Sequence, residues 1–384
     1  MIAEDVQALL AEGVATRIFP AARAVVRHDG TAILDLGAAT GPDTVFDLAS
    51  LTKVMATTAV FLSCWHDGLV GPETPVGRWW PDSPAGRAGV TLADLLRHRA
   101  GLPAFVPFFV GPMGESPELL SGACPRSLRE ATRRVVVERA LAMPLAAAPG
   151  TQAVYSYAGF LVLGECLAAA GGAPLDAHFA ERVARPLALG AGFRRLSTVG
   201  RAGRDIAPTG GTRPREPAPG QEGLWSLPAR PSAPGEVDDD NAWVMDGVAG
   251  HAGLFGTTGD VARFGQAVLD ELAGAGRIAP PALWARALER DVTTPESTRA
   301  FGFDTRHPAD PVEGASTGRF VGRLPPGAVG HLGFTGVSLW IDLARRLAVA
   351  LCTNRTVFGR AETRIRDFRP RFHDAVVRAL GLIG

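Results

Sequence analysis

Ser50 and Lys53 stand one helical turn apart in the stretch "FDLASLTKVMATT" (46–58), and Lys53 is the only lysine among 39 basic residues. A chain that uses arginine at every other basic position keeps lysine here, so the position asks for something arginine lacks. Arginine effectively never gives up its proton, whereas a buried lysine does. A serine hydroxyl facing an amine that can become neutral is a nucleophile beside its base, the chemistry of acyl transfer. The S-x-x-K spacing alone suits a second reading equally, a lysine snorkelling out of a helix start. The chain also has just two tyrosines, Tyr155 and Tyr157, both in "GTQAVYSYAGF" (150–160). Taken alone, two tyrosines beside an apolar run are more often core aromatics than proton carriers. In a composition this skewed, with 46 glycines and almost no lysine, tyrosine or asparagine, a surviving rare residue marks a place where no substitute works.

The elements that must position these groups can be read from pattern. Residues 51–66, "LTKVMATTAVFLSCWH", have helical length, no full charge besides Lys53, and Gly68 to stop them. A helix apolar all round is a buried one. Lys53 is therefore expected in the first turn of a buried helix, where burial and the positive end of the dipole both disfavour the ammonium. Pro149-Gly150 makes a turn, and an apolar helix is expected over 158–170, ended by Gly171-Gly172. Both phenols then sit on a loop feeding a helix start, where functional groups are commonly displayed. Late in the chain, 337–342 and 347–352 read as two strands joined by a polar turn, with His331-Leu332-Gly333 opening the first. "ARAVVRHDGTAILDLG" (22–37) predicts a hairpin with Asp29-Gly30 at its tip.

Composition limits what such a site can serve. A length of 384 residues suggests two domains, or one large fold with an insertion. Basic and acidic residues balance at 39 each, so no net field favours nucleic acid or an anionic membrane. No run of 18 apolar residues appears, which argues against a membrane span. The N-terminus carries Glu4 and Asp5 where a signal peptide needs positive charge. Cys64, Cys124, Cys166 and Cys352 are scattered, with no CxxC and no metal-ligand spacing. The expectation is a reduced, cytoplasmic protein that acts on a small molecule and needs no metal or cofactor.

S-x-x-K, then Tyr155-Ser156-Tyr157 after a P-G-T turn, then His331-Leu332-Gly333, resembles the serine β-lactamase and penicillin-binding-protein superfamily, and more narrowly its β-lactamase-related hydrolases and esterases. "VTLADLLRHRAGLP" (90–103), "EVDDDNAWVMDGVAGHAGLFGTTGDVARF" (236–264) and "RIRDFRPRFHDAVVRAL" (364–380) are similar to further family segments in the same order. The resemblance implies an α/β fold with an antiparallel sheet flanked by helices, formed by 1–75 and 241–384, plus a mostly helical domain over 76–240. It implies Ser50 as the acylated nucleophile, with Lys53 and Tyr155, as phenolate or proton shuttle, moving its proton. Backbone amides of Ser50 and Phe334 would hold the oxyanion, and Tyr157, His331 and Gly333 would border the substrate. His98 and His251 are expected to pack or hydrogen-bond rather than react.

Departures from the family pattern bear on substrate. His331-Leu332-Gly333 stands where β-lactamases carry K-T-G, losing a hydroxyl and a permanent cation that would clamp a carboxylate. Tyr157 stands where many relatives have a substrate-binding asparagine. With the absence of a visible signal peptide, these favour a carboxylesterase-like enzyme for a small ester or amide. A β-lactamase or D-alanyl-D-alanine carboxypeptidase is the alternative, and a catalytically weak acyl-transfer or binding protein a further one. The apolar run 104–114 suits an acyl pocket or core packing equally. The Pro/Gly-rich segment 208–236 is expected as a rim or lid with Leu224, Trp225 and Leu227 as anchors, or as a disordered insertion.

Overall fold

The computed structural model of the chain describes residues 2–121, 124–198 and 205–383. Its centre is a six-stranded antiparallel sheet in the order Thr31–Ala38, Ala22–His28, Leu347–Thr353, Ser338–Asp342, Ala328–Leu332, Asp304–Arg306. The N-terminal hairpin turns at Asp29 and Gly30, both at positive φ, and pairs with the C-terminal strand from Ala22 against Thr353 to His28 against Leu347. Chain ends distant in sequence thus meet in one sheet.

Strand alternation explains why the sheet is covered on both faces. In the fully buried strand Leu347–Thr353, Leu347, Val349 and Leu351 belong to one apolar cluster and Ala350 and Cys352 to the other. The first cluster is closed by the helices Ile2–Ala15 and Ile365–Ala379, through Val6, Leu10, Phe368, Phe372 and Val376. The second is closed by the helix Thr258–Leu272, through Val261, Phe264 and Val268, and continues into the helices of the middle segment. Each such side chain, once fully buried, contributes roughly 1.5–3 kcal/mol against conformational entropy.

Two expectations change here. His331-Leu332-Gly333 does not open the strand that follows it. His331 and Leu332 end a separate strand, Ala328–Leu332, and Gly333 begins the turn to Ser338–Asp342. The apolar Val337 and the close Gly333 N–H to Val337 O bond (2.7 Å) make that turn, so one apolar run holds two strand ends. Leu224 is no anchor, being 52 % exposed, whereas Trp225 is buried against Phe105 and Phe109. The segment 208–236 is largely irregular but carries a short antiparallel pair, Thr212–Arg213 with Arg230–Pro231. Among the described residues no single helix is long and apolar enough to cross a membrane.

Candidate active site

The chain leaves the short strand Phe46–Asp47 and turns sharply into the helix that carries Lys53. Ala49 takes a left-handed conformation (φ +47°), which costs a residue with a Cβ on the order of 1 kcal/mol. Asp47 holds it there by accepting from the Ala49 amide through Oδ1 at 2.8 Å. Its other oxygen accepts from the Asp238 amide at 2.6 Å, and its carbonyl accepts from Thr335 Oγ1 at 2.9 Å. One buried residue thus ties together the nucleophile turn and the acidic run 238–240 through its carboxylate, and the turn after His331 through its carbonyl. Burial, with the Asp238 charge in the same sense, outweighs the amide hydrogen bonds and Arg215 and pushes the Asp47 carboxyl up to about 7. The first turns of the helix are wide, Lys53–Thr58 being π-helical. Such widening is frequent at functional sites.

Lys53 is wholly buried, and its Nζ lies 3.0 Å from Ser50 Oγ and 3.1 Å from the His251 carbonyl. Burial drives its pKa from 10.5 down to about 7, with Arg299 acting in the same sense and Asp239 and Asp304 opposing. The amine is caged by the rings of Tyr155, Tyr157 and Phe160, whose centroids lie 4.9, 5.0 and 5.7 Å away. Tyr155 shares a hydrogen bond with Ser50, and burial pushes its phenol well above the ordinary value of 10. That direction favours the phenol over the phenolate. Burial also raises Tyr157, to about 12.

The tyrosine loop is strung on the segment before it. Val154 N–H donates to the His98 carbonyl at 2.8 Å, Ser156 N–H to His98 Nδ1 at 3.1 Å, and Ser156 Oγ to the Pro103 carbonyl at 2.7 Å. Ser156 then caps the helix Tyr157–Gly171 by accepting from the Gly159 amide. His98 accepts at Nδ1, so it carries its proton on Nε2 and packs on Tyr155 at 4.6 Å. His251 contacts Asp239 at 2.9 Å through Nε2, while Asp239 also caps the helix Asp240–Val244. Both histidines hydrogen-bond and pack.

The turn after His331 supplies the other wall. Gly333 is required by close approach, since a Cβ there would lie 2.2 Å from Val337 Cγ2 and 3.1 Å from the Leu48 carbonyl. Among the described residues neither the Ser50 nor the Phe334 amide is engaged by another acceptor, so both N–H groups are free to meet an oxyanion. His331 faces a carbonyl, Leu332 O, at 2.7 Å, which places its proton on Nδ1 and leaves Nε2 an acceptor with no partner among the described residues. Burial pushes it down to about 4. His331 is therefore a neutral hydrogen-bond acceptor, not a cation.

Ser50 stands at the junction of two cavities. One, about 60 Å³, is walled by Phe105, Phe109, Tyr157, Ala252 and Asn241. The other, about 570 Å³, holds Tyr155, His331 and Phe334 with Arg299, Arg355, Arg360, Arg366 and Arg369. Phe334, Tyr157 and Arg360 border both, and Ala218 of the Pro/Gly-rich segment closes the rim of each. The structure brings Ser50, Lys53, Tyr155, Tyr157, His331, Gly333 and Phe334 together. Sequence reasoning did not single out Asp47, Asp239, Thr335 or the arginines of the large cavity. Asp47 left a signal, a carboxylate inside the otherwise apolar "VFDLAS". The arginines left none, being hidden among 38 of their kind.

Comparison with known proteins identifies the family and the fold. The family model described as Beta-lactamase matches residues 6–369. A putative D-alanyl-D-alanine carboxypeptidase of Escherichia coli (strain K12) is 27 % identical over 347 residues, covering 86 % of this chain and 74 % of that protein. Among solved structures, the octameric penicillin-binding protein homologue from Pyrococcus abyssi superposes with a TM-score of 0.70 at 17 % identity, covering 100 % of this chain and 78 % of its own. EstCE1, a hydrolase with promiscuous acyltransferase activity, superposes at 0.68 with 22 % identity and 98 % coverage of each chain.

Proposed function

The chain belongs to the β-lactamase family, and from that premise we propose that it hydrolyses a small ester or amide through an acyl-Ser50 intermediate, with carboxylesterase-like chemistry. It is a hydrolase of the β-lactamase-related serine hydrolase superfamily, which spans carboxypeptidases, amidases and esterases. The observation that carries the reading is the 3.0 Å contact between Ser50 Oγ and a lysine amine that burial holds near pKa 7. Neutral Lys53 takes the Ser50 proton as Oγ attacks the carbonyl, and the Ser50 and Phe334 amides receive the oxyanion. Tyr155, still a phenol, passes a proton to the leaving group and recovers one from Lys53, which returns the amine to its neutral form. Water then attacks the acyl-enzyme with the same pair acting in reverse.

Cavity shape orients the substrate. Tyr155 borders the large cavity and not the narrow one, so the leaving group lies on the arginine side and a compact acyl group between Phe105, Phe109 and Tyr157. Those arginines support a second reading, in which the leaving group bears a carboxylate, as in the carboxypeptidase named among the relatives. We take the site to lie between a sheet domain (1–75 and 241–384) and a helical one (76–240), in a cytoplasmic protein. The test is intact-mass analysis with a fluorophosphonate probe, a p-nitrophenyl ester panel, nitrocefin and a D-alanyl-D-alanine peptide. One fluorophosphonate adduct mapping to Ser50, absent in Ser50→Ala, and ester turnover are expected. An adduct that persists in Ser50→Ala defeats the assignment, and peptide turnover without ester turnover favours the second reading.

A further inference from the structure

Arg369 sits one turn into the helix Ile365–Ala379, which Phe368 and Phe372 fasten to an apolar face of the sheet. It borders the large cavity beside Ser50 but is only 5 % exposed. Among the described residues no carboxylate pairs with it, and the charged groups that act on it are two cations, Arg355 and Arg366. Burial pushes it down to about 9, so it is still a cation at neutral pH. A buried charge without a counterion is costly, and an apolar side chain of similar volume would fill the space at less cost. The residue is therefore to be explained by what its donors hold.

One atom, Nη2, donates at 2.9 Å to the Gly333 carbonyl and at 2.9 Å to the Val337 carbonyl. Both belong to the turn that carries Phe334. The turn itself closes with two neutral bonds, Gly333 N–H to Val337 O at 2.7 Å and Gly336 N–H to Gly333 O at 3.0 Å. Arg369 adds a charged donor to each of the two acceptors, and charge-assisted bonds are roughly twice as strong as neutral ones. The carbonyl of Gly333 and the N–H of Phe334 belong to one planar, trans peptide unit and point in opposite directions. A donor that fixes the oxygen therefore fixes the direction of the N–H, and by polarising the unit it strengthens that N–H as a donor. Arg355 holds the next carbonyl, Phe334 O, through Nε at 2.8 Å, but that oxygen belongs to the following peptide unit. Of the two arginines, Arg369 acts on the unit whose amide meets the oxyanion.

We propose that Arg369 is a positioning residue for the oxyanion site: by holding the Gly333 carbonyl it aims the Phe334 N–H at the oxygen of a carbonyl attacked by Ser50. The inference deepens the acyl-Ser50 reading and rests on it.

Fluorophosphonate titration of the full-length chain counts the competent Ser50 sites, and p-nitrophenyl acetate gives the turnover per titrated site. Arg369→Met fills a similar volume without donors. Because the oxyanion forms in the transition state, kcat per site should fall about 10-fold or more, up to the ~10² to 10³-fold that loss of a whole oxyanion donor costs. KM should change little. The fluorophosphonate, whose phosphoryl oxygen takes the same amides, should react more slowly by a similar factor. The rise of rate with pH through about 7 should stay where Lys53 sets it. A merely structural arginine would lower the number of titratable sites and the melting temperature but leave the rate per site. Where Arg369→Met fails to fold, Arg369→Gln, which keeps a neutral donor, carries the same test with a smaller loss. The proposal is overturned by an unchanged rate per site in the folded variant, by a loss confined to KM, or by a displaced pH rise. A parent that takes no fluorophosphonate on Ser50 defeats the acyl-Ser50 reading and this one with it, whereas a labelled parent with an unaffected variant defeats only the role of Arg369.

Discussion

Lys53→Met should inactivate the protein and stabilise it. Folding carries this amine from water into a cage of three rings, where its pKa falls from 10.5 to about 7. At about 1.4 kcal/mol per pH unit, that difference is on the order of 5 kcal/mol set against the native state. The sign follows from proton counting. Between pH 7 and 10.5 the unfolded chain holds the Lys53 proton and the folded chain does not, so stability rises with pH across that window. Below about 7 both states hold it and the full penalty applies. Methionine fills a similar volume without the charge, but it forfeits the hydrogen bonds to Ser50 and His251, worth about 1 kcal/mol each. A net gain of roughly 2–4 kcal/mol is expected at pH 7, shrinking toward pH 10. Urea unfolding of both proteins at pH 7 and 9.5 measures it, read at equal m-value. A variant less stable than the parent at pH 7, or a gain that does not shrink as pH rises, refutes the account of Lys53 as a desolvated amine.

The remaining expectations concern activity. Turnover of a p-nitrophenyl ester should rise with pH through about 7 as Lys53 becomes a base, and a rate flat from pH 5 to 9 would contradict that role. Lys53→Arg should lose ~10² to 10⁴-fold in kcat, as Lys53→Met does, because a guanidinium cannot take the serine proton; near-normal turnover would make Lys53 a simple cation. Tyr155→Phe should lower kcat on every substrate, whereas Tyr157→Phe should change KM according to the acyl group; the reverse ranking would exchange their roles. Gly333→Ala, whose new methyl meets Val337 and the Leu48 carbonyl, should cost roughly 1–3 kcal/mol and slow acylation by moving the Phe334 amide. Unchanged thermal stability and rate would show that this turn can relax.

Local chemistry made much of this legible in the sequence. The lone lysine one turn from Ser50, the paired tyrosines after Pro149-Gly150 and the N-terminal hairpin depend on near neighbours, so the chain itself discloses them. The family and its antiparallel sheet flanked by helices followed from motifs in order along the chain, and the structure and comparisons agree. Apolar runs misled in one place, because period-2 alternation cannot show where one strand ends inside "GAVGHLGFTGVSLWID", and His331 closes a strand it was expected to open. Leu224 and Trp225 look alike as anchors until packing sends one to solvent and the other against Phe105 and Phe109. Charge states were beyond sequence in the same way. Asp47, His331 and Lys53 have ordinary side chains, and only removal from water by residues far along the chain moves them toward 7, 4 and 7. Desolvation is a property of the enclosure, and the enclosure forms only when segments near 50, 98, 155, 239, 251 and 333 come together. The sequence by itself thus determined which groups could react and in what family of fold, while tertiary structure decided which of them are stripped of water and which arginines, among 38, line the cavity beside Ser50.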